Sequence, residues 1–274
     1  MAEVSAADVM KLRKATGAGM MDCKVALAEA NGDFARATEI IREKGKAIAN
    51  KRADREATEG CVLGKVAGKK AGIIVLNCET DFVAKNQGFI DLTNKMLDVA
   101  LASDAKNVEE AKALLMDGRT LGDHVIEQTG VIGEKIMLSY YEAIEAESVI
   151  AYIHPGNQLA TVVGFNKPTV DTQVAKDVAM QTAAMSPVAV DKDDVPAEVV
   201  AKELEIAKEK FRMEGKPEDM LDKIAMGALS KFFKESTLLN QAFVKDSKMT
   251  VREYITSSDK GLTVTSFLRY ALTD

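Results

Sequence analysis

The chain has 274 residues, with 36 Lys and Arg against 42 Asp and Glu and a net charge of −6. That length is enough for two or more domains with real cores, and the acid excess excludes a surface that is a nucleic-acid glove as a whole. Three scattered cysteines (Cys23, Cys61, Cys78), no apolar run near the ~20 residues of a membrane span, no secretory pattern at the N-terminus and no Trp point away from a disulfide scaffold, a membrane protein and a single-strand stacking platform, and fit a reducing cytoplasm.

Residues 1 to about 50 read as three short helices. Ser5 is placed to cap the first, with Asp8 three residues on, and Val9 and Leu12 mark its buried stripe. Gly17 and Gly19 break it. Asp22 is a candidate cap for the second helix, whose apolar face is Cys23, Ala26, Leu27 and Ala30. "NGD" ends that helix and caps the third, with Phe34, Ala37, Ile40 and Ile41 inward. Met20 and Met21 sit between glycines and a helix start, and packing within the helices is the default reading for the pair. Residues 44–59 are charged and poor in apolar side chains. They read as a solvated helix end and linker, with a basic docking segment as the alternative.

From Gly60 the pattern changes to strands. CVLGKVA and GIIVLNCE, joined by GKKA, predict a hairpin. An amphipathic helix follows, with Phe89, Leu92, Met96 and Val99 at helical spacing, then a second helical stretch through VEEAKALLMDG. "GVIGEK" reads as a turn before a third strand, EKIMLSYYEAIE. SVIAYIH, PGNQ and LATVVGFN repeat the hairpin, TVDTQVAKDVAMQTAAM repeats the helix, and LTVTSFLRYAL supplies a third strand. Two strand-strand-helix-strand units are therefore expected, related in plan. The second is interrupted by an antiparallel helical hairpin. Asp194 and Pro196 start it, Val200, Leu204, Ala207 and Phe211 line one arm, Gly215 and Pro217 make the turn, and Met220, Leu221, Ile224 and Ala225 line the return. Packing and partner contact are equally good reasons for such a hairpin.

Chemistry is sparse. His124 reads as a helix-surface residue and His154 as an exposed turn residue, and neither has a metal-ligand neighbour at the usual spacing. Phosphate-loop and hydrolase-elbow motifs are absent. Met96, Met180 and Met220 fall at core spacing. One stretch stands out: "NCETDFVAKN", where Asp81-Phe82-Val83 follows a buried strand. Asp81 suits a helix cap, and as a general acid or base it lacks a partner nearby in sequence. Phe82 suits a core position. The pair also suits a rigid loop that presents a wedge and an anion, and local reasoning leaves these alternatives open.

Two segments carry a resemblance. "LRKATGAGMMDCKVALAEANGDFARA", Leu12 to Ala37, and "GIIVLNCETDFVAKNQGF", Gly72 to Phe89, resemble the bacterial translation elongation factor Ts family, and with the element order the likeness spans nearly the whole chain. The resemblance implies an α+β fold with an N-terminal ubiquitin-associated-like three-helix module and linker at 1–54. It implies a core of two related antiparallel-sheet-plus-helix subdomains, at 55–146 and at 147–187 with 234–274, and an inserted coiled-coil hairpin at 188–233. It implies a non-enzymatic, cytoplasmic guanine-nucleotide exchange factor for elongation factor Tu, without a cofactor, a metal, direct nucleic-acid contact or a membrane. Thr80, Asp81, Phe82 and Val83 would disturb the Mg²⁺ site of Tu, with Phe82 as the wedge. Arg13, Met20 and Met21 would touch the GTPase from the helical module, and Ile132, Gly133 and His154 align with core positions near the partner. Many relatives carry basic residues after the segment matching Gly133–Ile136, where this chain has Met137-Leu138-Ser139-Tyr140, so an arginine contact is not expected there. A C-terminal helical module found in some relatives is also not expected, which leaves more of the binding to the N-terminal module and core. The rival readings are a general protein-binding scaffold and a small-molecule enzyme built on Asp81 and His154.

Overall fold

Alternation of inward side chains explains the centre of the molecule. The computed structural model describes residues 4–273. Strands β1 (Glu59–Ala67) and β2 (Lys70–Cys78) form a tight antiparallel hairpin. Successive side chains of β2 point to opposite faces. Ile74, Leu76 and Cys78 meet one apolar cluster, while Ala71, Ile73 and Val75 meet another. A strand buried on both faces must be apolar throughout, which is why "GIIVL" shows no period of two.

The outer face of this sheet is covered by α5 (Gln87–Leu101), which follows the single turn α4 (Asp81–Ala84). Phe89, Met96, Leu97, Ala100 and Leu101 bury there. Phe89, Met96, Leu97 and Leu101 each contribute about 1.5–3 kcal/mol of burial. Next come α6 (Val108–Lys112), a two-residue hairpin of β3 (Leu115–Met116) and β4 (Arg119–Thr120), and α7 (Leu121–Ile132). The expected single helix through 108–118 is thus only five residues long. Asp117 and Gly118 both adopt positive φ, and the chain turns back on itself there. Strand β5 (Met137–Glu145) completes the order β1-β2-β5.

The second sheet is laid out in the same way. Strands β6 (Ser148–Ile153) and β7 (Leu159–Phe165) form a hairpin, α8 (Thr172–Met185) follows, and a late strand pairs with β7. Ala160 and Val162 face Val62, Ile73 and Val75, so the two sheets pack face to face. The Tyr140 and Tyr270 rings lie 4.7 Å apart across that seam. On its outer face β7 presents Val163 and Phe165 to Val174, Val178 and Ala179 of α8. The result is a sheet-on-sheet sandwich with a helix on each outer face.

Between α8 and the last strand lie α9 (Ala197–Met213) and α10 (Glu218–Ser236), packed against each other and turned at Gly215, φ +76°. Only Ala207 is buried in α9, and Val200, Leu204 and Phe211 are half-buried. Met220, expected in the core, is exposed, as is Met180 on α8; Met96 alone of the three is buried. Then come β8 (Ala242–Phe243), β9 (Asp246–Thr250), α11 (Val251–Ser258) and β10 (Val264–Ala271). Helix α11 buries Val251 and Ile255 in the second core, a helix the sequence pattern did not reveal.

Helices α1 (Ala6–Thr16), α2 (Met20–Glu29) and α3 (Phe34–Lys51) have their own core around Leu12, Cys23, Leu27 and Ala37. Ser5 caps α1 by accepting from the Asp8 amide. Gly19, not Asp22, is the N-cap of α2. The charged stretch 44–59, read as a solvated helix end and linker, does end α3 at Lys51, but it is docked rather than solvated. Gly45 is buried against α7, where a Cβ added to Gly130 would lie 2.5 Å from the Gly45 Cα. Two glycines allow this backbone approach, and glycines leave no hydrophobic signal in the sequence.

The crossing is asymmetric and therefore testable. Gly130→Ala must push α3 from α7 and is expected to lower stability by about 1–3 kcal/mol. A Cβ on Gly45 meets nothing nearer than 3.8 Å. Gly45→Ala gains helix propensity and is expected to be neutral or stabilising by up to about 1 kcal/mol. Denaturant midpoints of the two variants check this, and equal effects would sink the account.

Candidate functional site

Beyond Cys78 the chain leaves the sandwich in one tight turn. Thr80 is the N-cap of α4, so the cap is Thr80 and Asp81 is the first helical residue. Ala84 is buried and Val83 half-buried against the core, which anchors two of the four residues. Phe82 points the other way and is 85% exposed, the most exposed large apolar side chain among the described residues. Asp81 pairs with Lys85 at 2.6 Å, one turn on. That hydrogen bond holds the Asp81 carboxyl below the ordinary carboxylate range. An exposed pair of this kind adds little stability.

A four-residue helix is far below the length that is stable by itself. Its backbone is held from outside. The Glu134 carboxylate accepts the Glu79 amide at 3.2 Å, the Thr80 amide at 3.1 Å and the Thr80 hydroxyl at 2.7 Å. The Cys78 thiol donates to the Thr80 carbonyl at 3.2 Å. Burial, with the Glu134 charge adding to it, pushes that thiol up to about 12, so it stays protonated and a donor.

Glu79 returns the grip. Its carboxylate accepts the Lys135 amide at 2.6 Å, Arg52 at 2.7 Å and Arg55 at 3.2 Å. Lys135 in turn donates its Nζ to the carbonyls of Ala53 and Arg55, both at 2.7 Å. Three segments meet here: the residues after α3, the turn into α4, and the turn between α7 and β5. Nothing local in the sequence marks this junction, because its members are 24 to 82 residues apart.

The structure brings most of the sequence-predicted residues to one end. Phe82, Val83 and Ile132 line a groove of about 390 Å³, together with Phe89, Gln128 and Val131. Gly133 ends α7 in the left-handed region at φ +80°. Val131 is shared with a cleft of about 280 Å³ bordered by Ala18 and Gly19. A Cβ on Gly17 would touch Val131 at 3.7 Å. Met20 and Met21 therefore start α2 next to the same end of α7. Both are exposed, at 44% and 69%, against the default local reading of packing within the helices. Arg13 lies on α1, exposed, beside Met10 and Lys14.

No cavity joins His154 to Asp81 among those that flank Phe82 and Val131. His154 is exposed in the β6–β7 turn, and its Nδ1 lies 2.9 Å from the Tyr152 hydroxyl. His124 is not a surface residue: it is buried, with Nε2 2.8 Å from the Met116 carbonyl. The small β3–β4 hairpin that covers it was missed in the sequence. Among the described residues no group of three or more His, Cys, Asp or Glu is placed to hold a metal ion, and no helix is long and apolar enough to cross a membrane.

The chain is thus a mixed α+β protein that carries an exposed aromatic ring on a turn braced by Glu134 and Glu79. Residues 79–274 match the family model described as elongation factor TS. Elongation factor Ts from Porphyromonas gingivalis strain ATCC 33277 is 54% identical over 270 residues, covering 98% of each chain. That from Christiangramia forsetii is 50% identical over 276 residues, covering 99% of this chain and 100% of the relative. That from Bacteroides fragilis is 44% identical, covering 98% of each. The chain belongs to the elongation factor Ts family.

The junction has a pH signature. The Lys135 amide, then Arg52 and Arg55, hold the Glu79 carboxyl below its ordinary value. A depressed folded-state value means stability that is present above the unfolded-state value, about 4.3, and lost as pH falls through the folded one. The melting temperature of the wild type is expected to fall more steeply below about pH 4.5 than that of Glu79→Gln, which lacks this ionisation. Parallel curves would mean that Glu79 is not coupled to folding.

Proposed function

We propose that the chain is a guanine-nucleotide exchange factor for elongation factor Tu, a regulatory binding protein that does no covalent chemistry. The family assignment supports this, and one observation carries the mechanism: Phe82 is almost fully exposed on a turn braced from both sides. Exposing a phenylalanine forgoes roughly 1.5–3 kcal/mol of burial. A ring held out in that way makes sense as an anchor that finds its pocket in a partner.

In this reading Thr80, Asp81, Phe82 and Val83 act at the Mg²⁺ and phosphate site of Tu. Mg²⁺ bridges nucleotide phosphates to a GTPase and neutralises their charge, so displacing the groups that hold it weakens GDP. Phe82 enters as the wedge, and the Asp81 carboxylate rearranges the region near the ion. Arg13, Met20 and Met21 contact the GTPase from the helical end, with Ile132, Gly133 and His154 adding contacts from the core. Linkage requires that the factor bind nucleotide-free Tu better than the GDP form, and that GDP weaken the factor by the same ratio. No preference for GTP is needed for release.

The same reading divides the chain into a three-helix module with its linker at 1–54, core subdomains at 55–146 and at 147–187 with 234–274, and an inserted hairpin at 188–233. The partner is Tu, in its GDP-bound and nucleotide-free forms, in the cytoplasm.

Release of a fluorescent GDP analogue from cognate Tu tests the reading. Catalytic amounts of the factor are expected to accelerate it. Phe82→Ala is expected to slow release at least about tenfold, in keeping with loss of an interface anchor, with an unchanged melting temperature because the ring is exposed. Met20→Ala with Met21→Ala is expected to raise the half-saturating concentration. Binding without acceleration would instead favour a scaffold, and wild-type rates for Phe82→Ala would remove the wedge.

A further inference from the structure

The Phe82 ring has little packing of its own, so its position is set by the backbone beneath it. That backbone is a single helical turn, which does not persist unaided. Glu134 accepts from two consecutive amides and the hydroxyl at the start of that turn. These are charge-assisted bonds, stronger than neutral ones. Glu134 is itself kept in place from across the junction, because the next amide, that of Lys135, donates to Glu79. Glu79 also holds Arg52 and Arg55 beyond the end of α3. Both glutamates point inward to the junction, and their side chains are spent on protein donors rather than offered to a partner.

We propose that Glu134, with Glu79 opposite it, is a positioning residue for exchange: the crossed carboxylates pre-set the Thr80–Phe82 backbone so that the ring meets its pocket without a search. The inference rests on the wedge reading of Phe82 given above. Displacement by about 1 Å is enough to cost a well-placed group up to a hundredfold in rate. Glu134 therefore acts through Phe82, and the two must not be energetically independent.

A double-mutant cycle in the GDP-release assay, using the full chain and cognate Tu, reads this directly. Glu134→Ala is expected to lower the maximal release rate by about tenfold to a hundredfold, with the half-saturating concentration changed by less than about threefold. Combining it with Phe82→Ala is expected to give no further loss over Phe82→Ala alone. Glu134→Gln keeps an oxygen for the two amides, and the Thr80 hydroxyl can turn to accept from the new amide, so it is expected to restore most of the rate. Multiplying losses in the double variant, a wild-type rate for Glu134→Ala, or a Glu134→Gln as slow as Glu134→Ala would each overturn the proposal. If circular dichroism shows Glu134→Ala unfolded, Thr80→Val, which removes the hydroxyl donor, takes its place in the same cycle under the same criteria. A fast Phe82→Ala defeats the wedge reading itself, whereas a slow Phe82→Ala beside a fast Glu134→Ala defeats only the positioning role.

Discussion

Two carboxylates, Glu79 and Glu134, each hold backbone of the other's segment, and the exposed end of the molecule is built around that exchange. The constraint is one of supply. A strand that leaves a sheet and reverses within one turn has backbone amides with no ladder partner, and unpaired buried amides are costly. Glu134 takes up two of them. Glu79 takes up the amide that follows Glu134 and brings two guanidinium groups to balance the charge. With these donors met by charged acceptors, a turn too short to be stable alone can carry a large exposed ring.

The sandwich behind it provides the rigid base. Strand β2 is buried on both faces and ends at Cys78, whose thiol reaches the Thr80 carbonyl. The core thus runs without interruption into the turn, through Val83 and Ala84 to Phe89. On the other side α7 connects the turn to the three-helix end, because Val131 and Gly130 meet Gly17 and Gly45. The proposed exchange role gains from such stiffness, since ordering a loose loop on contact would draw on the same binding energy.

How much of this was legible in the sequence depends on the kind of signal. The hairpins, α5 and α8 follow from runs and periods of apolar residues, and "NGD" and Ser5 act as caps as their chemistry dictates. The misses have a common cause. VEEAKALLMDG keeps a helical composition, but Asp117 and Gly118 turn it into a hairpin that buries His124. Residues 44–59 look solvated because their contacts are a glycine crossing and ion pairs, neither of which shows as hydrophobicity. Met180 and Met220 fit a core pattern yet are exposed, because side-chain type says nothing of whether a covering element arrives.

By itself the sequence determined the long strands of the two sheets, most of the helices, their order, and the family resemblance carried by Leu12–Ala37 and Gly72–Phe89. These depend on local propensity, on periodic burial and on specific runs of residues, all of which can be read along the chain. Only the tertiary structure decided that Phe82 faces outward while Val83 and Ala84 face inward, and that Glu79 and Glu134 meet. Cap, core ring and wedge are equivalent in local terms. They are separated by what stands across from them, and that is fixed by side chains brought together from segments 24 to 82 residues apart.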